Sequence, residues 1–194
     1  MNVTNDKVSS IFFQYSIPSV LGMLAISSAN IVDGFFLGNY VGDFGLATIN
    51  ISLPIFSLLF GFALMLAIGG SVIAGKLIGE EDIKNASMIF TKTIICITFF
   101  SFIASTLLFL NIETVLYLFG ADENLTKIAI EYLSVILIFI PFLMIGVVLD
   151  YFVRVDNRPN LAFIALLSSA LINVILDWFM IVYLQKGIFG AALA

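Results

Sequence analysis

Residues 11–38 read IFFQYSIPSVLGMLAISSANIVDGFFLG, and the only charged residue among them is Asp33. A hydrocarbon core of about 30 Å needs roughly 20 apolar residues at 1.5 Å each, so this stretch crosses a bilayer with length to spare. Asp33 then lies inside the membrane or just below its far surface. A carboxylate there costs about 2.5–3.5 kcal/mol on insertion scales and is tolerated where it faces a protein interior or a water-filled cavity. That makes Asp33 a functional candidate; the plainer reading is a helix-end carboxylate that reaches the headgroups. Pro18, a few turns earlier, removes one backbone donor and bends the helix or loosens its hydrogen bonding. Asn30, three residues before Asp33, shares its face of the helix.

The composition sets the class of protein. The chain is 61% hydrophobic and 11% charged, with a mean hydropathy of +1.16, which leaves no polar shell for a water-soluble core. It reads as an integral membrane protein. The net charge of -5 says little about topology or partners, because acidic residues contribute little to orientation. The single cysteine, Cys96, falls in an apolar run, so neither a disulfide nor a thiolate metal site forms within one chain. The absence of histidine removes the commonest general base and metal ligand. The polar lead MNVTNDK precedes an apolar segment much longer than the core of a signal peptide, so the first span is expected to stay in the mature protein.

Four more long apolar segments follow the first span at 11–38: 48–74, 86–110, 128–153 and 161–184. All exceed strand length and lack the alternation of a membrane barrel. The fold expected is an all-α bundle of five transmembrane helices, with residues 187–194 opening a sixth, in one membrane domain over 1–194. The glycine-containing connection at 39–47 makes the first two helices antiparallel neighbours. The stretch NIETVLYLFGADENLTK at 111–127 is amphipathic and predicts a short helix along the interface. In the tight turn RVDNRPN at 154–160, Pro159 starts the next helix.

Basic residues near the span ends orient the bundle. Lys7, Lys76, Lys84, Lys92, Arg154 and Arg158 collect at the N-terminal end, against Lys127 and Lys186 at the other, which places the N-terminus in the cytoplasm. The first and fifth spans then run outward, and Asp33 and Asp177 lie about 33 Å and about 24 Å along them at 1.5 Å per residue. Both belong to the outer half. Asp150 sits at the cytoplasmic end of an inward-running helix, one turn before Arg154, where an i,i+4 ion pair is the ordinary explanation.

In LINVILDWF at 171–179, Asn173 and Asp177 are four apart and share a face. With Asp33, and with Asn30 as a secondary member, two carboxylates and one or two amides at similar depth could share a proton or coordinate a hard monovalent cation through oxygen. Two separate acids, each capped by a local amide, are the alternative. The twenty phenylalanines could line a pocket for flat hydrophobic cations, but phenylalanine is also an ordinary lipid-facing residue. Gly61, Gly69, Gly70 and Gly75 read as close helix contacts. No phosphate loop and no nucleophile with a base appears, so nothing supports an enzyme.

Pro18, the VDGFFLG run at 32–38, the RVDNRPN turn and the LINVILDWF helix, in that order, resemble the multidrug and toxic compound extrusion (MATE) family over the whole chain. The resemblance implies a bacterial or archaeal inner-membrane protein whose twelve helices form two six-helix lobes around a cavity, exporting cationic or amphipathic small molecules in exchange for H+ or Na+. It implies that Asp33, Asn173 and Asp177 form the proton or cation site of the N-terminal lobe, acting as metal ligands if the ion is Na+, with no other cofactor and no nucleic-acid partner. Pro18 matches the family's helix-bend proline. Asp150 falls where some members carry a polar residue, often asparagine. The chain has the length of one lobe, so transport needs a C-terminal lobe or a second copy. A lipid-linked sugar flippase of the same superfamily would share the fold but would call for basic residues mid-span, which are absent. A truncated, non-transporting membrane lobe is the remaining reading.

Overall fold

A computed structural model describes residues 8–194; Lys7, one of the basic residues used to orient the bundle, lies outside them. The helices are α1 (Val8–Tyr40), α2 (Asp43–Gly79), α3 (Ile83–Leu110), α4 (Ile112–Leu118), α5 (Glu123–Val155), α6 (Pro159–Asp177) and α7 (Gly187–Leu193). A π-helical turn, Trp178–Tyr183, continues α6. Among the described residues, α1, α2, α3, α5 and α6 with its π turn are long and apolar enough to cross a membrane. These are the five expected spans, and α7 is the expected opening of a sixth.

Each helix outruns its apolar stretch, because backbone hydrogen bonding continues through polar residues until a specific stop. The first connection shrinks to Val41 and Gly42, where glycine accepts a φ of 84° that a side chain would disfavour. The second is Glu80–Asp82, and the Asp82 carboxylate caps α3 by accepting from the Asn85 amide at 3.1 Å. The amphipathic stretch forms α4, anchored by fully buried Leu116. Asp122 then caps α5, accepting from Leu125 N at 2.7 Å. Pro159 occupies the first turn of α6, where its missing N–H costs nothing.

Two groups of helices make the bundle. In one, α2, α3 and α5 pack on one another around Ala63, Ala67, Ile97, Leu137, Ile140 and Met144, all 1% exposed or less. In the other, α1 lies along α6. The antiparallel neighbours expected from the short first connection meet only around it: Leu37 approaches Gly45, Leu46 approaches Gly38, and the rest of α1 turns to α6. A tight turn brings helix ends together, while the surfaces with complementary shape decide the long contact.

No hydrophobic force draws helices together in lipid, so close fit and occasional hydrogen bonds do the work. Phe62 and Phe100 stack with centroids 3.6 Å apart, and the Ser105 hydroxyl donates to the Leu137 carbonyl across α3 and α5. At Gly70 the backbone of α2 approaches α3 so closely that a Cβ would lie 2.5 Å from Thr93 Oγ1 and 3.1 Å from Phe152 Cζ. Gly69, one residue earlier, has nothing within 4 Å. Gly70→Ala should therefore destabilise the bundle by about 1–3 kcal/mol through overpacking, whereas Gly69→Ala should stabilise it by up to about 1 kcal/mol through helix propensity. Thermal unfolding of the two variants in one detergent checks this; equal midpoints would refute the close-packing account.

Candidate cation-coupling site

Asp177 closes α6 and is completely buried. Neither of its carboxylate oxygens has a hydrogen-bond partner among the described residues, and Asp33 Oδ1 on α1 is in the same position. The two carboxylates are close enough to feel each other's charge. Sequence placed them at similar depth, and the α1–α6 interface brings them together.

A third element completes the surroundings. Tyr132 of α5 is 7% exposed and lies within the electrostatic reach of both Asp33 and Asp177, with its ring edge-on to Phe56 of α2 at 6.4 Å. Tyr132 escaped the sequence reading because a tyrosine near a span end looks like an interfacial anchor. The available signal was that a buried tyrosine usually requires a polar partner for its hydroxyl.

Asn173 stands one turn before Asp177 on the same face of α6 and is half-buried. Asn30 is exposed on α1, so the structure does not bury it with the carboxylate pair. Asp150 is engaged elsewhere. Its carboxylate forms a two-pronged ion pair with Arg154, Nε to Oδ2 and Nη2 to Oδ1 both at 3.0 Å, as the i,i+4 spacing predicted. The remaining prong, Arg154 Nη1, donates to Ser19 Oγ at 2.5 Å. Pro18 is buried beside Ser19, inside a helix that runs unbroken from Val8 to Tyr40.

The π turn directly after Asp177 is also new to the structure. Leu184 N bonds Phe179 O at 2.9 Å, five residues back, and Tyr183 stacks on Trp178 and Phe179 with centroids 6.3 and 5.4 Å away. Such turns widen a helix by one residue and recur at functional sites. Here it re-aims the chain immediately beyond the buried acid.

Buried carboxylate oxygens without donors are costly, and they suit a proton or a hard cation. Among the described residues no three Asp, Glu, Cys or His side chains group as metal ligands. The acidic groups of the candidate site are thus two carboxylates, with the Asn173 amide on the same face of α6 as Asp177.

The pattern of the MatE family matches residues 18–179, which takes in Asp33, Tyr132, Asn173 and Asp177. The chain is 30% identical over 191 residues to multidrug export protein MepA of Staphylococcus haemolyticus and 28% identical over 189 residues to that of Staphylococcus saprophyticus. Each comparison covers 95% of this chain and 42% of the relative, so the chain spans about two-fifths of the curated relatives it matches. Among solved structures, a multidrug resistance MATE family transporter of the MOP superfamily in an outward-facing conformation superposes with a TM-score of 0.87 at 25% identity, over 93% of this chain and 40% of that one. The described helices thus resemble one lobe of such a transporter, and the chain belongs to the MatE family.

Proposed function

We propose that the chain is the N-terminal lobe of a cation-coupled multidrug exporter, in which Asp33, Asp177 and Asn173 bind H+ or Na+ in exchange for a cationic or amphipathic compound. The observation that carries this reading is that fully buried Asp177 and partly buried Asp33, on two helices packed along each other, lie within electrostatic reach and leave Asp177 Oδ1 and Oδ2 and Asp33 Oδ1 without hydrogen-bond partners among the described residues. Fully ionised, the pair is repulsive and poorly solvated. A proton or a monovalent cation relieves both costs at once and draws α1 onto α6.

Coupling follows from that difference. An ion arriving from outside favours the packing in which α1 and α6 close on it, and the cargo favours the packing in which they separate. Ion and drug then compete through one conformational equilibrium, which is the thermodynamic requirement for exchange. Tyr132 supplies a hydroxyl from α5 that remains in place as α1 moves. The cargo site needs a second lobe, because transporters built from repeats bind substrate between them. That lobe is encoded downstream in a longer product or supplied by another copy of the chain. That the staphylococcal relatives are multidrug export proteins supports the cargo class.

Asp33→Asn and Asp177→Asn should each reduce ethidium efflux from expressing cells by roughly tenfold or more, the scale of a lost coupling interaction of about 1–3 kcal/mol. If both variants export at the unmodified rate, the shared site is wrong. The native gene product, purified from its own membrane, should have an intact mass near twice the 21.2 kDa of this chain or somewhat more. A product of 21.2 kDa that does not self-associate would exclude transport by this chain.

A further inference from the structure

We propose that Ser105 of α3 is a positioning residue: its hydroxyl stands in for the backbone N–H that Pro141 removes from α5, and so holds the leg of α5 that carries Tyr132 in one register beside the two acids. The effect on ion exchange rests on the proposed function; the replacement of one donor by another does not.

An α-helix bonds each N–H to the carbonyl four residues back. Pro141 lies inside α5 and has no N–H, so the Leu137 carbonyl loses its partner within the helix. Leu137 is 1% exposed and Pro141 is fully buried. A bare carbonyl is costly in a bilayer interior, and proline is tolerated there when a serine or threonine hydroxyl or a neighbouring helix supplies the missing bond. The buried Ser105 hydroxyl supplies it from α3.

Other buried hydroxyls behave differently. Thr48, Ser52, Ser71, Thr93, Ser101 and Thr126 each donate to a carbonyl three or four residues back in the chain, which is the ordinary habit of these side chains in a helix. Ser105 instead leaves its own helix, and the acceptor it reaches is the carbonyl that Pro141 leaves bare. Leu137 lies on the same leg of α5 as Tyr132, before the proline. Tyr132 is about 14 Å from Pro141 at 1.5 Å per residue, so a tilt of roughly 15° there would move it by about 4 Å. Packing also surrounds this leg, with Leu133 buried and the Tyr132 ring edge-on to Phe56. Apolar packing is non-directional, whereas a hydrogen bond weakens steeply as donor and acceptor lose alignment and so selects one register.

Two measurements on the full chain test this. In lipid nanodiscs, spin labels on Cys96, exposed on α3, and on Glu131→Cys, exposed next to Tyr132 in sequence, report the position of that leg against α3. The 96–131 distances should be narrow in the parent chain, broaden with Ser105→Ala, and stay narrow with Ser101→Ala, which removes a hydroxyl bonded within its own helix. In detergent, Ser105→Ala should lower the thermal midpoint of the parent chain by about 2–4 °C. The same change should leave the midpoint of a Pro141→Ala variant where it was, because the restored N–H takes the Leu137 carbonyl. Distances as narrow with Ser105→Ala as in the parent, or broadened equally by Ser101→Ala, overturn the proposal, and so does an equal loss of midpoint with and without Pro141. Should Pro141→Ala fail to fold, the label distances decide alone. Neither readout involves efflux, so both remain decisive if the exporter reading fails.

Discussion

A buried carboxylate without a hydrogen-bond donor among the described residues is the constraint around which this lobe is built. Asp177 is completely buried with neither oxygen bonded to a described residue, and Asp33 lies within electrostatic reach on the neighbouring helix. Structures do not keep such groups for stability, since replacing them by apolar residues commonly stabilises. In the proposed exporter, the missing partner is the mobile ion, whose arrival changes how two helices pack. The contact between α1 and α6, the tyrosine on α5 and the π turn after Asp177 all surround that pair.

The division of helices suits this purpose. The trio α2, α3 and α5 is joined by stacking, by the Ser105 hydroxyl and by the close approach at Gly70, so it forms a closely packed base. The α1–α6 pair lies beside it and carries both acids. Rearrangement can then be local, because the core of the trio need not repack when the interface between α1 and α6 changes.

Much of this was legible in the residues, and the limits have physical reasons. Long apolar runs marked the five spans, and 1.5 Å per residue placed Asp33 and Asp177 at related depths before any helix contact was known. The Asp150–Arg154 pair was legible because it is local to one helix. The helix ends were less so, since Tyr40 and Gly79 are helical beyond the apolar stretch for reasons of backbone bonding. The choice of α6 over α2 as the long partner of α1 depends on surface fit that no periodicity encodes. Tyr132 and the links of Tyr15 and Ser19 to residues more than 130 positions away depend on that same fit. The π turn has no signature in an apolar sequence.

The partnership of α1 with α6 also has a consequence for how the chain is made. Synthesis proceeds at about 5–20 residues per second, and roughly 120 residues separate the end of α1 at Tyr40 from the start of α6 at Pro159. The first span therefore waits on the order of ten seconds for the helix it will lie against, while α2, α3 and α5 emerge in the interval and can close on one another. During that time Asp33 has no Asp177 to oppose it. Of the two acids that face each other across α1 and α6 in the finished lobe, Asp177 is the later to arrive.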